Sequence, residues 1–379
     1  METKFNPFLI KGYISKDLFC DRETELSDLY RNVTNGVDTT IISPRRMGKT
    51  GLIYRFFDYL SEQSSIEYIY VDIYAARSIN DFIKLFTEGI LKKFPEKSSL
   101  GKKFLTYLKG FRPLITYDAI SGEPQVQLTY HTPQDKEYTL QGLLQFLDSQ
   151  NKPIVLAIDE FQQIIAFPEK NMEALLRTQI QTLKNIRFIF CGSKKSMMID
   201  IFSNVKRPFY SSTQYLTLDK IAPDLYTSFI RKTFGNAGFI IKEEALHFIL
   251  SWSKGHTFYT QSLCNMIFSM QQEHIDLNVV KNACVDLLKR NEPVFFQYRQ
   301  LLTPAQWNFL IAVAKEGEVY QLTAKRFINT YDIGTPADAR RISNSLLDKE
   351  LLLETTTKKE TYYQVYDAFF SRWLEREYS

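Results

Sequence analysis

One run of nine residues constrains the chain more than any other: Ser43-Pro44-Arg45-Arg46-Met47-Gly48-Lys49-Thr50-Gly51. Before it stands a short β-rich stretch, Thr39-Thr40-Ile41-Ile42. After it Leu52, Ile53, Phe56, Phe57 and Leu60 recur three or four apart, the spacing of one helix face. A strand, a tight turn and a helix that opens on Gly-Lys-Thr make a phosphate loop. The backbone N–H groups of the turn and the helix N-terminus point at phosphate oxygens. Gly48 lets the backbone come close, Lys49 supplies a point charge for the β- and γ-phosphates, and Thr50 offers a hydroxyl to Mg²⁺. Such loops normally open with Gly, and here Ser43 stands in that place. The alternative is a Lys-Thr pair at an ordinary helix start.

A second motif argues against that alternative. Pro153 to Ile158 is an apolar strand that ends in Asp159-Glu160. A buried strand closing on two carboxylates is the Walker B arrangement, in which Asp159 holds the Mg²⁺ shell and Glu160 orients or deprotonates the attacking water. Alone it is weak, because acids commonly start turns. A third strand, Phe188 to Cys191, runs into Gly192-Ser193. In a parallel sheet that place lies beside the γ-phosphate, where Ser193 can bond the phosphate or the water; a turn residue capping the strand is the other reading.

Strands at 39–42, 66–73, 153–158, 187–191 and 214–218 alternate with helical patterns, which predicts an α/β fold: a parallel sheet with helices on both faces. After Lys220 four helical patterns follow without a strand. From Thr303 three helices and two strands, Leu351 to Glu354 and Tyr362 to Tyr366, describe a winged helix. The expected domains are a core over 1–219, a helical lid over 220–290 and a winged helix over 291–379. At 379 residues the chain has room for them. A segment over about 95–136, with Phe111-Arg112-Pro113 and Ser121-Gly122-Glu123-Pro124, reads as a surface excursion with a hairpin around Val126 to Tyr130.

Composition excludes several classes. Cys20, Cys191, Cys264 and Cys284, like His131, His247, His256 and His274, are too scattered for a metal knuckle or redox pair, so a reducing, cytoplasmic setting is expected. Residues 1–10 lack the pattern of a secretory signal. No apolar stretch reaches the roughly 20 residues that a membrane span needs, and no membrane partner is expected. The net charge of +4 permits contact with nucleic acid without arguing for it.

Taken together these motifs resemble the archaeal-type ATPase family, a branch of the AAA+ and STAND P-loop NTPases. The loop is similar to that family's Pro-Arg-Arg-x-Gly-Lys-Thr variant at Pro44, Arg45, Arg46, Gly48, Lys49 and Thr50. Phe19 to Glu25 resembles its N-terminal box near the adenine, which implies that Phe19 and Arg22 border the nucleotide. Pro208-Phe209-Tyr210 resembles the element after sensor 1. Gly255-His256 with Tyr259 and Gln261 resembles sensor 2 of the lid, and Tyr366-Asp367 to Trp373-Leu374 the end of the winged helix. The resemblance implies ATP and Mg²⁺ as ligands. Ser211-Ser212 stand where the family often has Gly-Arg, which implies slow turnover; Lys206 or Arg207 could substitute, the other reading being solvated surface charge. Thr257 replaces the usual Pro after His256.

The expected function is a slow Mg²⁺-dependent ATPase acting as a nucleotide-driven conformational switch. Two alternatives are a nucleotide-gated regulator that binds DNA or protein with negligible hydrolysis, and a nucleotide-stabilised structural protein. Glu160 favours the ATPase, because a pure binder does not need it. Expected partners are ATP and ADP, with a protein or a second copy of the chain; DNA is weakly supported. The candidate recognition helix, Pro336 to Lys349, carries Arg340 and Arg341. From Glu292 onward, however, 11 Lys/Arg face 12 Asp/Glu, and a neutral domain is poorly suited to neutralising phosphates.

Overall fold

The computed structural model describes residues 5–111, 113–130, 132–357 and 360–378; Arg112 and His131 lie outside them. The chain forms two compact units: Lys11–Lys220, and Met1–Ile10 together with Ile221–Ser379.

The first unit runs α1 (Glu23–Thr34), β1 (Thr39–Ile42), α2 (Lys49–Gln63), β2 (Glu67–Asp72), α3 (Ile79–Lys93), α4 (Ser99–Leu108), β3 (Leu114–Tyr117), β4 (Pro124–Gln127), α5 (Pro133–Asp148), β5 (Ile154–Asp159), α6 (Met172–Ile180), β6 (Ile186–Cys191), α7 (Lys195–Ser203) and β7 (Gln214–Thr217). Five strands pair in the order β2-β5-β6-β1-β7, all parallel. Every residue of β5 is buried, as a strand covered on both faces must be. Its side chains divide with period two. Val155 and Ala157 pack with α1 and α2, while Ile154, Leu156 and Ile158 pack with α3 to α7.

The segment at 95–136 is more ordered than its sequence suggests. Its helix α4 buries Phe104 and Leu108. The hairpin pairs Leu114 with Gln127 through Tyr117 with Pro124, earlier than the 126–130 stretch expected. Its turn is built by Asp118, whose carboxylate accepts from the N–H groups of Ile120 (3.0 Å) and Ser121 (2.8 Å). Of its apolar residues only Val126 is fully buried, while Leu114 and Tyr117 are exposed, so no alternation marks β3. The helix α5 begins well before Thr139, where the apolar pattern starts. A capping box between Thr132 and Asp135 supplies its N-terminus.

The second unit contains α8 (Pro223–Asn236), β8 (Ile240–Ile241), α9 (Glu243–Trp252), α10 (Thr257–Ser269), β9 (His274–Ile275), α11 (Leu277–Leu301), α12 (Pro304–Glu316), α13 (Lys325–Tyr331), α14 (Pro336–Asp348), β10 (Leu352–Thr356), β11 (Thr361–Val365) and α15 (Ala368–Glu377). The expected strand-free lid carries one small parallel pair, β8 with β9. One helix, α11, spans the expected boundary at 290 and passes through Pro293. The lid helices and the winged helix share packing. Phe369 of α15 lies 4.7 Å from Tyr259 and 5.6 Å from Trp252, and Arg372 donates to the carbonyls of Ser251 and Trp252, both at 3.1 Å. The first residues also belong here, although the sequence reading grouped them with the core. Phe8 is buried 4.6 Å from Phe234, and Asn6 and Asn265 each donate to a backbone carbonyl of the other's segment. Among the described residues no helix is long and apolar enough to cross a membrane.

Candidate active site

In the sheet β6 lies between β1 and β5. The residues that follow these three strands therefore gather at one edge, at the carboxyl ends of parallel strands where α/β sheets bind ligands. The edge carries the loop 43–48 after β1, Asp159-Glu160 at the end of β5, and Cys191 to Ser193 at the end of β6.

Within the loop, Arg46 (φ 63°) and Gly48 (φ 94°) adopt left-handed backbone. The second of these is the strained value that favours glycine. Ser43 is not among the left-handed residues, so a side chain there causes no backbone strain. Its hydroxyl donates to the Pro44 carbonyl at 2.9 Å, and the residue is buried. The Lys49 ammonium donates to the same carbonyl at 2.9 Å and to that of Ser43 at 3.3 Å. Burial pushes the Lys49 pKa down, and the nearby Cys191, Asp159 and Glu160 oppose that shift. Arg46 is exposed and Arg45 half-buried, while Met47 is buried in the core formed with α1 and α2.

Asp159 ties the loop to the centre of the sheet. Its Oδ2 accepts from the Thr50 hydroxyl at 2.9 Å and from the Tyr70 hydroxyl at 2.8 Å. Its Oδ1 accepts from the Glu160 N–H at 2.9 Å and from the Cys191 thiol at 2.8 Å. Burial, together with the Asp159 charge, raises the pKa of both Tyr70 and Cys191, so each remains a neutral donor at ordinary pH.

Glu160 is held in left-handed backbone, φ 56°. Non-glycine residues in that region cost of order 1–3 kcal/mol and persist where the surroundings over-determine them. The surroundings are visible here. Glu160 Oε2 accepts from the Ser193 hydroxyl at 2.7 Å and from the Gln162 amide. Gln162 in turn lies against Gly192, where an added Cβ would come within 2.0 Å of its Oε1. Ser193 thus contacts the carboxylate expected to act on water. The Pro208-Phe209-Tyr210 element contributes Phe209, buried against Phe161, Phe190 and Phe202 beneath the same turn.

Other candidates are spread further. The Phe19 ring lies against Gly51, where a Cβ would sit 3.4 Å from it. Arg22 is buried and engaged, donating to Glu25 at 2.7 Å and to the Asp219 carbonyl. Arg207 is not a solvated charge: it pairs with Glu173 and Asp200. His256 belongs to the second unit, at the N-terminus of α10, with its ring 4.7 Å from Tyr259. Three residues of this constellation escape a reading of motifs: Tyr70, Gln162 and Cys191. Tyr70 lies on β2, far from any loop motif, and Cys191 reads as one more apolar strand residue. Only pairing β2 with β5, which sets Tyr70 opposite Ala157, brings the tyrosine to Asp159.

A five-stranded parallel sheet with this loop and these carboxylates, followed by a lid and a winged helix, defines the P-loop ATPase class. The chain belongs to the family of ATPase domains found predominantly in Archaea, whose family model matches residues 19–261, and a winged helix domain model matches residues 293–376. Among solved structures, a Walker-type ATPase of Pyrococcus abyssi is similar with a TM-score of 0.66 at 17% identity, covering 97% of this chain and 99% of that one. The ORC2 protein of Aeropyrum pernix, solved as ADPNP-ADP complexes, gives 0.56 at 13% identity, with 98% of both chains covered. The ORC1 protein of the same organism, solved in complex with DNA, gives 0.51 at 12%, covering 95% of this chain and 93% of that one. No curated protein matches the chain in sequence.

Proposed function

We propose that the chain binds ATP at the loop 43–51 and hydrolyses it slowly to ADP and phosphate, with the change of nucleotide acting as a conformational switch. The observation that carries this reading is the junction at Asp159. The loop hydroxyl of Thr50 meets this carboxylate at 2.9 Å, and the next residue, Glu160, is held separately by Ser193. The adjacent carboxylates thus take different partners, Asp159 the loop hydroxyl and Glu160 the Ser193 hydroxyl, which supports separate roles for the two. The donor set of hydroxyl and carboxylate oxygens also fits Mg²⁺, a hard cation that takes one or two protein oxygens and keeps several waters. Bound with the nucleotide, Mg²⁺ offsets phosphate charge.

The residues of the chain would then act as follows. The backbone amides of the loop and of the first turn of α2 hold the phosphates. Lys49 exchanges its bonds to the Ser43 and Pro44 carbonyls for phosphate oxygens. Thr50 and Asp159 hold the cation's shell. Glu160 accepts a proton from, or orients, the attacking water, and Ser193 keeps its carboxylate aimed. Phe19 and Arg22 border the base. The Ser211-Ser212 pair in place of Gly-Arg supports slow turnover. The test is phosphate release under steady state. Release with ATP and Mg²⁺ that stops with EDTA is the expected result, and binding without any release would support the gated regulator instead.

A second reading concerns the winged helix. A cavity of about 310 Å³ opens between α14 and β11, lined by Arg340, Asn344, Tyr320 and Tyr363 among others. A guanidinium, an amide and two phenols are suited to a phosphate and a nucleobase edge. The similar ORC1 fold was solved with DNA. If this chain binds duplex DNA, Arg340→Ala should weaken binding and flatten its salt dependence by about one phosphate's worth. Filter binding or fluorescence anisotropy across a salt series checks this, and wild-type protein without affinity at low salt would sink it.

A further inference from the structure

The Asp159 carboxylate has no acceptor site to spare. An ionised carboxylate offers about four lone-pair positions. Four donors occupy them: Thr50 at 2.9 Å and Tyr70 at 2.8 Å on Oδ2, Cys191 at 2.8 Å and the Glu160 N–H at 2.9 Å on Oδ1. Mg²⁺ keeps several waters when protein-bound, and those waters seek carboxylate acceptors. For Asp159 to accept from such a water, one of the four present donors has to yield.

The donors differ in how freely they can yield. The Glu160 N–H is main chain, fixed by the left-handed turn after β5. Cys191 is fully buried in the central strand β6. Thr50 belongs to the nucleotide loop, and its hydroxyl oxygen can face a cation while its proton still points at Asp159. Tyr70 is in a different position. It sits on β2, the edge strand of the sheet. Its ring is half-buried, 5.0 Å from the Tyr54 ring, and lines a surface cavity of about 390 Å³ with Tyr54, Phe57 and Tyr68. The tyrosine packs against the core on one side and borders this open space on the other, so of the four donors it has the most room to move away from Asp159.

We propose that the Tyr70 hydroxyl is a positioning group that bonds Asp159 and competes for it with the hydration shell of the cation. Tyr70 thereby sets how much Mg²⁺ the site needs. The proposal rests on the nucleotide-site reading given above. It assigns Tyr70 no contact with nucleotide and no role in the chemical step. It makes a prediction opposite in sign to a supporting role: deleting the hydroxyl should make cation binding tighter. A typical net hydrogen bond corresponds to a change of about fivefold.

The experiment titrates Mg²⁺ at fixed ATP and reads the binding of a fluorescent ATP analogue, and separately the melting temperature, for wild type, Tyr70→Phe, Tyr54→Phe and Lys49→Ala. Tyr70→Phe keeps the ring and should fold, and the melting temperature without nucleotide checks that it does. The expected result is a Mg²⁺ midpoint lowered about fivefold in Tyr70→Phe and unchanged in Tyr54→Phe, whose ring lies beside that of Tyr70. A midpoint that is unchanged or raised in Tyr70→Phe, or shifted equally in Tyr54→Phe, overturns the competition. Lys49→Ala separates the two levels. If it still binds nucleotide like wild type, the site reading itself fails. If it loses binding while Tyr70→Phe titrates like wild type, the site stands and only the role of Tyr70 falls.

Discussion

Lys49→Ala is expected to abolish the stabilisation that MgATP gives the protein. A ligand that binds only the native state at 100 times its Kd adds about 2.7 kcal/mol. For a unit of this size that corresponds to a rise of roughly 5–10 °C in melting temperature. Lys49 is the loop ammonium, and its bonds to the Ser43 and Pro44 carbonyls show it already seated where the loop closes. Without it the phosphates keep the backbone amides and lose the only ammonium within the loop. Once affinity falls to the working ATP concentration, the same relation leaves less than about 0.5 kcal/mol, near 1 °C. The melting temperature without nucleotide is not the test, because the substitution also removes two loop hydrogen bonds. The difference between scans with and without MgATP isolates the ligand. A mutant that keeps the full shift would show that phosphate is bound elsewhere.

Glu160→Gln should separate binding from chemistry. The variant is expected to keep the MgATP shift and lose phosphate release by at least tenfold, since positioned acid–base groups contribute about 10²–10⁴. The geometry makes this substitution clean. Glu160 uses one oxygen, Oε2, to accept from both Ser193 and Gln162. A glutamine in the same rotamer can present its amide oxygen to the same two donors, so the turn and its left-handed residue are kept. What disappears is the basicity and the charge. Single-turnover and steady-state release, measured beside the thermal shift, give the two readouts. Unchanged turnover would assign Glu160 to holding the turn together with Gln162 and Ser193.

Much of the architecture could be read from the chain because its signals are local. The run from Thr39 to Leu60 contains strand, turn and helix within one short stretch. The all-apolar β5 can be covered only on both faces, which makes the sheet parallel and places its carboxylates at the strand's end. The winged helix follows from three periodic helices and two strands. Where local signals were weak, the reading fell short. The exposed strand β3 shows no alternation, α5 starts at a capping box six residues before its apolar pattern, and α11 continues through Pro293, which reads as a stop.

The sequence by itself determined the kind of loop, the two carboxylates and the order of elements, because each depends on residues adjacent in the chain. Strand order and side-chain contact across the sheet depend on which segments pack, and no spacing records them. Only the tertiary structure placed β6 between β1 and β5, brought Tyr70 and Cys191 to Asp159, and joined Ser193 to Glu160. It also took Phe8 out of the segment that follows it and buried it against Phe234, more than two hundred residues away in sequence. These contacts form because burying a ring or pairing a buried polar group favours whichever partner the fold brings near, whatever the distance along the chain.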